Sequence, residues 1–211
     1  MTKGYHDVRF EFDERRELLW ATLCRNYFQK QVAADACVLE LGAGYGHFIN
    51  NIRCRRRIAL DSWPGMLQFL KPGVEGIVSS AIDLSAVEDD TVDFAFASNL
   101  FEHLTQQQLA VTLEQLRRKL KSSGTLSILQ PNYRFAYAEY FDDYTHVAIY
   151  TDRSLPDFLE THGFVVIDRH PRFLPLTIKS RFPVSPLMIR AYLALPFKPM
   201  GKQMLIRVRN T

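Results

Sequence analysis

The chain has 211 residues, which is enough for one α/β domain with a sizeable core and too few for two. Apolar residues make up 47% and charged residues 23%, proportions that exclude a disordered or fibrous protein, and no apolar run approaches the roughly 20 residues that span a bilayer. The net charge of +3 is unevenly distributed, because nine Lys or Arg and no Asp or Glu follow Asp168.

The first residues lack the apolar core of a signal peptide, so we expect a cytoplasmic protein. The cysteines Cys24, Cys37 and Cys54 have no C-x-x-C spacing and no paired histidines beside them. We therefore expect them to be reduced packing residues, and we expect no metal site.

Large apolar residues between positions 8 and 32 predict an amino-terminal helix, because Leu19, Trp20, Leu23 and Tyr27 follow the spacing of one helical face. Short apolar or β-branched runs, separated by helix-length intervals, then predict βα units on a parallel sheet. These strand-like runs are Cys37–Leu41, Arg57–Leu60, Gly76–Ser79, Val92–Ala97 and Thr125–Leu129.

The clearest helix is predicted from about Thr105 to Lys121, where Thr105 and Gln108 form the pattern of a capping box. A second helix is expected from an N-cap at Asp152 to about His162, with Gly163 as a left-handed cap. The remaining predictions are a strand at Phe164–Asp168, a helix that starts at Pro186 and ends before Pro196, and a last strand at Met204–Arg209.

The segment from Val38 to Phe48 joins a buried-strand pattern to a glycine turn and then to an expected helix start. Gly42, Gly44 and Gly46 permit positive φ angles and let a backbone approach a ligand closely. Free amides at such a crossover face polar ligands at the carboxyl edge of a parallel sheet. His47 stands where a dinucleotide fingerprint has its third glycine, which disfavours a nicotinamide or flavin cofactor.

This glycine segment resembles motif I of the class I methyltransferases that use S-adenosyl-L-methionine. The resemblance implies an α/β fold, Rossmann-like and doubly wound, with a mostly parallel seven-stranded sheet and an antiparallel C-terminal strand. We expect one domain with four segments, which are an N-terminal helical segment at 1–35, a cofactor-binding core at 36–168, a Pro-rich basic flap at 169–202 and a final strand at 203–210. The N-terminal helix is expected to pack on the sheet, with a cover over the cofactor pocket as the alternative.

Several strand-end residues match the family pattern. The resemblance implies that Glu40 faces the cofactor's ammonium group, Asp61 its ribose hydroxyls and Asp83 its adenine amino group, although Asp83 could instead be a surface turn or cap residue. Ser98 and Asn99 precede Glu-His-Leu, as in the small-molecule branch of the family, and are expected beside the transferable methyl group. The complete predicted cofactor set is Glu40, Gly42, Ala43, Gly44, Gly46, Asp61, Ser62, Asp83, Leu84, Ser98, Asn99 and His103.

The acceptor site is expected in the aromatic and ionisable stretch 131–146, which follows the fifth strand. His146, His103 and Asp143 are the candidate proton acceptors, because a hydroxyl acceptor benefits from a base. The aromatic residues could instead fill a small core, and Glu102 and His103 could only cap or orient the following helix.

The stretch 169–202 carries six of the ten prolines and mixes large apolar residues with Arg172, Lys179, Arg181, Arg190 and Lys198. It is expected either to close the acceptor pocket or to contact an anionic membrane surface or a lipid-linked acceptor. The motifs Pro-Asn-Tyr-Arg, Asp-Asp-Tyr-Thr-His and Gly-Lys-Gln-Met-Leu-Ile resemble bacterial methyltransferases of saccharide or glycolipid assembly.

The predicted function is therefore methyl transfer from S-adenosylmethionine to oxygen or nitrogen of a small-molecule acceptor, saccharide or lipid-linked. A cofactor-binding scaffold without transfer activity and an NAD-dependent oxidoreductase are the alternatives. No nucleic-acid partner is expected, because the tail shows no stacking platform and no recognition helix. The sequence does not indicate an oligomeric state.

Overall fold

A computed structural model describes residues 13–175 and 185–211. Its strands are β1 (Cys37–Leu41), β2 (Arg56–Asp61), β3 (Val74–Val78), β4 (Val92–Ser98), β5 (Leu120–Pro131), β6 (Phe164–Pro175) and β7 (Gly201–Asn210). Its α-helices are α1 (Glu14–Asn26), α2 (Gln106–Lys119), α3 (Tyr133–Ala136), α4 (Ser154–Thr161) and α5 (Pro186–Ala194). Short 3₁₀ helices lie at Phe28–Gln31, Pro64–Phe69, Phe101–His103 and Tyr140–Asp142.

Within the described ranges the strands form one seven-stranded sheet in the order β3-β2-β1-β4-β5-β7-β6. Strands β1 to β5 pair in parallel, and β7 runs antiparallel to both β5 and β6. The predicted Rossmann-like fold with an antiparallel C-terminal strand is confirmed. The strand order reverses between β1 and β4, so the carboxyl ends of these two strands flank the crevice where ligands of such sheets bind.

Core residues cover both faces of the sheet, because successive side chains of a strand point to opposite sides. Leu39 belongs to the cluster that contains the buried leucines of α2. Its neighbour Val38 belongs to the second cluster, with Leu23 from α1 and Phe28 after it. The amino-terminal helix therefore packs on the sheet, as expected, and Ile189 of α5 joins the same cluster.

Local capping agrees with the sequence at α2 and differs at α4. At α2, the Thr105 hydroxyl and the Gln108 side chain form the predicted capping box. At α4, Asp152 is not the N-cap, because its carboxylate accepts hydrogen bonds from Asn132 and Arg134 instead. Gly163 has φ of 80°, the left-handed conformation predicted after this helix.

The crossovers are less helical than predicted. The glycine loop continues into turns over 44–51 and not into an α-helix, so the expected helix start after the loop is wrong. The crossover from β2 to β3 holds a 3₁₀ helix at Pro64–Phe69. Strand β6 extends to Pro175 instead of ending at Asp168, because it pairs with the long β7.

None of the helices within 13–175 and 185–211 is long and apolar enough to cross a membrane.

Candidate cofactor and acceptor site

The three glycines after β1 all have left-handed backbones. The φ angles of Gly42, Gly44 and Gly46 are 66°, 51° and 67°, which explains why glycine stands at each position. A Cβ on Gly42 would lie 3.0 Å from Cδ1 of Leu100, whereas a Cβ on Gly44 would meet no heavy atom within 4 Å. The loop therefore exposes bare backbone at Gly44, at the carboxyl end of β1.

Asp61 lies at the end of β2 and is tied to this loop. Its carboxylate accepts hydrogen bonds from the amide of Gly44 at 2.7 Å and from the amide of Trp63 at 2.8 Å. The residue is 7% exposed. Each carboxylate oxygen can accept a further hydrogen bond, so the group that shapes the loop can also bind hydroxyl groups of a ligand.

Glu40 is the second buried carboxyl group at the loop. It accepts a hydrogen bond from the amide of Ile49 at 2.9 Å. Burial raises the pKa of Glu40 well above its usual value, and the nearby charge of Asp61 raises it further. A cationic group that approaches Glu40 would therefore favour its ionised form.

Of the next three predicted cofactor residues, two are exposed and one is buried. Asp83 is exposed, and hydrogen bonds from the side chain and the backbone amide of Ser85 lower its pKa. Leu84 is buried, and its amide donates to the Gln115 side chain at 2.8 Å. Ser62 is exposed beside Asp61.

At the end of β4, Asn99 has φ of 48°, an uncommon conformation for a residue other than glycine. Its side chain donates to the Ser98 hydroxyl at 3.3 Å and accepts from Gln203 of β7 at 2.9 Å. Gln203 was not predicted, because it is distant in sequence and its position depends on the pairing of β7 with β5. Local strain of this kind is concentrated at functional sites.

Glu102 does not cap α2, because Thr105 and Gln108 perform that role, so the predicted capping alternative is wrong for this residue. Its side chain is fully buried, and neither carboxylate oxygen has a hydrogen-bond partner among the described residues. Burial raises the pKa of Glu102 to about 8, with a further contribution from Asp143. Its backbone carbonyl accepts the amides of Val147 and Ala148, which joins the end of β4 to the later segment.

The three predicted proton acceptors lie together. The ring centroids of His103 and His146 are 4.8 Å apart. Asp143 accepts a hydrogen bond from the Thr145 hydroxyl at 2.6 Å, and the same hydroxyl lies 2.9 Å from Nδ1 of His103. Burial lowers the pKa of His103, and the neighbouring His146 lowers it further. Both effects favour the neutral form of His103.

The aromatic stretch 131–146 divides between core and surface. Tyr140 is buried, donates its hydroxyl hydrogen to the carbonyl of Ala148, and has a pKa raised by burial. Tyr137, Phe141 and Tyr144 are exposed. The stretch therefore supplies both a small core and a set of outward-facing rings.

Two contacts around the glycine loop were not predicted. Glu17 of α1 lies 3.0 Å from Nδ1 of His47 and accepts hydrogen bonds from Asn51 and Lys71, so α1 is tied directly to the loop. A second group, Tyr45, Trp63 and Phe69, forms an aromatic cluster beside it, with the Tyr45 and Phe69 rings 4.6 Å apart. Neither contact has a local sequence signal.

These residues fit S-adenosylmethionine. Gly44 leaves open space beside the backbone, because no heavy atom lies within 4 Å of where its Cβ would stand. The amide of Gly44 donates to the Asp61 carboxylate, and Glu40 is a buried acid at the end of β1. Bare backbone together with carboxylates suits a polar ligand that carries both hydroxyl groups and positive charge.

Comparisons with known proteins agree with S-adenosylmethionine as the cofactor. The family model described as a methyltransferase domain matches residues 12–169. No curated protein matches the chain.

Three solved structures illustrate the likeness. A SAM-dependent methyltransferase from Archaeoglobus fulgidus is 25% identical with a TM-score of 0.67, over 92% of this chain and 94% of the other. The N-methyltransferase NodS of Bradyrhizobium japonicum, bound to S-adenosylhomocysteine, is 15% identical with a TM-score of 0.61, over 98% and 93%. The 1,6-didemethyltoxoflavin-N1-methyltransferase of Burkholderia thailandensis is 16% identical with a TM-score of 0.60, over 94% and 80%.

The family match spans most of the cofactor edge and the His103–His146 region, and the sheet has the strand order of the fold. The chain belongs to the methyltransferase domain family and is a class I methyltransferase that depends on S-adenosylmethionine.

Proposed function

We propose that the protein transfers a methyl group from S-adenosylmethionine to oxygen or nitrogen of a small-molecule acceptor, of saccharide or lipid-linked type. The observation that carries this proposal is that the cofactor residues and the candidate acceptor residues follow neighbouring strands at the same edge of the sheet. The glycine loop and Asp61 stand after β1 and β2, and Asn99 and the His103–His146 pair follow the adjacent β4 and β5.

On the cofactor side, Asp61 binds the ribose hydroxyls while it keeps its hydrogen bond to Gly44. Glu40 faces the ammonium group, and the backbone of Gly42 to Gly46 contacts the methionyl part. Asp83 and Leu84 lie on the adenine side. Bound S-adenosylmethionine supplies an electrophilic methyl group.

On the acceptor side, Ser98 and Asn99 orient the nucleophile next to the methyl group. Alignment of the reacting atoms provides much of the rate of such displacements. A hydroxyl acceptor must also lose its proton, and His103, His146 and Asp143 are proposed to assist that loss. A neutral amine requires less help, and two of the structural neighbours are N-methyltransferases.

The test is product formation from a panel of sugars, aminosugars and their lipid-linked forms. We expect release of S-adenosylhomocysteine with one acceptor class, and NMR of the product distinguishes an O-methyl from an N-methyl group. Binding of S-adenosylhomocysteine without turnover of any acceptor would instead favour the scaffold function. A thermal shift with NAD and none with S-adenosylmethionine would overturn both.

A second proposal concerns peripheral contact with an anionic membrane or a lipid-linked substrate, and it rests on exposed apolar residues around α5. Leu187, Met188, Phe197 and Met200 are exposed near the end of the chain. The basic residues Lys198 and Arg172 support membrane contact less, because both make contacts within the chain. Lys198 donates to three carbonyls at the end of α5, and Arg172 lies 3.9 Å over the Phe135 ring.

Lys179 and Arg181 lie outside the described residues, so the proposal depends on the apolar residues and on Arg190, which is exposed. Flotation with phosphatidylserine–phosphatidylcholine vesicles tests it. We expect Leu187→Glu and Phe197→Glu to abolish flotation and Val111→Glu, an exposed position on α2, to leave it unchanged. Absence of flotation of the unmodified chain would refute the proposal.

A further inference from the structure

Three metal-ligating side chains converge between β4 and the segment after β5. One carboxylate oxygen of Glu102 and one ring nitrogen each of His103 and His146 all lie within 4.8 Å of one another. Two residues come from the 3₁₀ helix after β4 and one from a position 43 residues later. Two imidazoles and one carboxylate are a donor set used for divalent transition cations at sites that keep open coordination positions.

The hydrogen bonds of both rings determine which nitrogen carries the lone pair. Nδ1 of His146 lies 2.6 Å from the carbonyl oxygen of Tyr140, and Nδ1 of His103 lies 3.2 Å from the carbonyl oxygen of Thr145. A carbonyl oxygen only accepts, so each Nδ1 must carry the hydrogen, and in the neutral ring Nε2 carries the lone pair. Metal-binding histidines are held by this type of hydrogen bond.

Glu102 provides an independent observation. Its carboxyl group is fully buried, and both oxygens lack a hydrogen-bond partner among the described residues. Burial of a carboxyl group without a hydrogen-bond partner destabilises the fold unless something binds the group. An apolar residue would fill a purely structural position at lower cost, so the carboxyl group suggests a ligand that the side chain itself contacts.

The cluster is also held in place by its surroundings. The amides of Val147 and Ala148, directly after His146, donate to the backbone carbonyl of Glu102 at 2.9 and 3.1 Å. Asp143 accepts the Thr145 hydroxyl hydrogen at 2.6 Å, and Thr145 in turn contacts His103. The candidate ligand atoms lie within 4.8 Å of one another. Side-chain adjustment would bring them close enough for bonds of about 2.0 to 2.2 Å to one cation.

We propose that Glu102, His103 and His146 bind a divalent transition cation, with Zn²⁺ or Mn²⁺ as suitable probes. The catalytic role of this cation rests on the proposed function, whereas cation binding by the three residues does not. Glu102 follows β4 closely, near the strand end where Asn99 lies, so the open positions of the cation would be available to an acceptor hydroxyl. The cation would lower the pKa of that hydroxyl, and the proton released would pass to water. His103 and His146 would then assist the loss of the proton as ligands of the cation, in place of accepting the proton themselves.

The test measures cation binding without cofactor or acceptor. Chelator-treated protein is titrated with Zn²⁺ by competition with a chromogenic chelator and with Mn²⁺ by the loss of its free electron paramagnetic resonance signal. We expect one cation per chain. Glu102→Gln, which keeps the shape of the side chain, and His146→Ala should each weaken binding more than tenfold.

The matched control is His162→Ala, because His162 is a partly buried histidine whose ring stacks on Phe158 of α4. It should bind the cations as the unmodified chain does. Long-range ¹H–¹⁵N NMR supplies the second readout, since Zn²⁺ should shift Nε2 and not Nδ1 of His103 and His146. Absence of binding at a tenfold excess, or equal binding by all variants, would overturn the proposal.

Failure of this site and failure of the proposed function can be told apart. Binding of S-adenosylhomocysteine by the same chelator-treated chain reports on the cofactor edge alone. If the chain binds S-adenosylhomocysteine and not the cations, only the metal site is wrong.

Discussion

The two sides of the crevice are built differently. On the cofactor side, the essential geometry is the backbone of a short segment, because the positive φ angles of Gly42, Gly44 and Gly46 and one carboxylate at Asp61 define it. On the proposed acceptor side, the geometry arises from side chains that are distant in sequence. His103 and His146 meet only because the segment after β5 folds back on the end of β4.

This difference explains how each side should respond to substitution. A backbone-defined loop tolerates changes away from its glycines and from the carboxyl groups of Glu40 and Asp61. A side assembled from distant segments depends on the buried polar contacts that hold those segments together. Substitutions on the acceptor side should therefore change stability first, whereas substitutions on the cofactor side should change ligand affinity first.

The largest effect is expected at Asp152, which connects the segment after β5 to α4. Asn132 donates to its carboxylate at 2.8 Å, Arg134 donates at 3.0 Å, and the Asp152 side chain is 4% exposed. Asp152→Ala should lower the free energy of unfolding by about 2 to 4 kcal/mol, because it leaves the Asn132 amide buried with fewer partners. Urea unfolding measures this loss, and Asp157→Ala on the exposed first turn of α4 is the control.

The pH dependence should follow the same carboxylate. Burial acts to raise the pKa of Asp152, and the hydrogen bonds from Asn132 and Arg134 outweigh it, so the pKa is lower than usual. A lowered folded-state pKa means that the stabilisation is present above the unfolded value of about 3.9 and is lost as pH falls through the folded value. The stability difference between the unmodified chain and Asp152→Asn should therefore shrink below about pH 4. A constant difference would contradict this assignment.

The next effect is expected at Asp61. Asp61→Ala should weaken binding of S-adenosylhomocysteine by about ten- to a hundredfold, because charge-assisted hydrogen bonds contribute about 1.5 to 3 kcal/mol. Titration calorimetry measures the change. Asp93→Ala is the matched control, since Asp93 also accepts a backbone amide, that of Cys37 at 2.8 Å, but at the amino ends of the strands. Equal affinities for Asp61→Ala and the unmodified chain would remove the ribose role.

Gly42 and Gly44 provide an internal comparison of smaller size. Both have positive φ, so alanine at either position should cost about 1 to 2 kcal/mol of stability. Gly42→Ala should cost more, because its Cβ would also lie 3.0 Å from Leu100, whereas nothing lies within 4 Å at Gly44. Chemical unfolding of the two variants tests the order. An equal loss would mean that Leu100 moves aside without cost.

The same contrast explains what the sequence could predict. Strand β1 at Cys37–Leu41 and the capping box of α2 follow from local periodicity and cap chemistry, and both were predicted correctly. The mostly parallel seven-stranded sheet was expected from the family resemblance and is also confirmed. The absence of a helix after the glycine loop was not predicted, because glycine-rich turns and helix starts share a pattern. The burial of Glu102 and the N-cap of α4 also depend on distant partners, which periodicity does not report.

The smallest effect is expected at Asp83, where the adenine role and the turn role differ in one measurable respect. Its carboxylate is exposed and already accepts the amide of Ser85 at 3.0 Å, so a hydrogen bond from an adenine amino group adds only about 0.5 to 1 kcal/mol. Asp83→Ala should therefore weaken binding of S-adenosylhomocysteine by about two- to fivefold. An analogue with inosine in place of adenosine lacks the amino group, so the unmodified chain and Asp83→Ala should bind this analogue with equal affinity. A loss of equal size for both ligands would mean that Asp83 acts only through the turn, because a shift of the turn alters the pocket for either base.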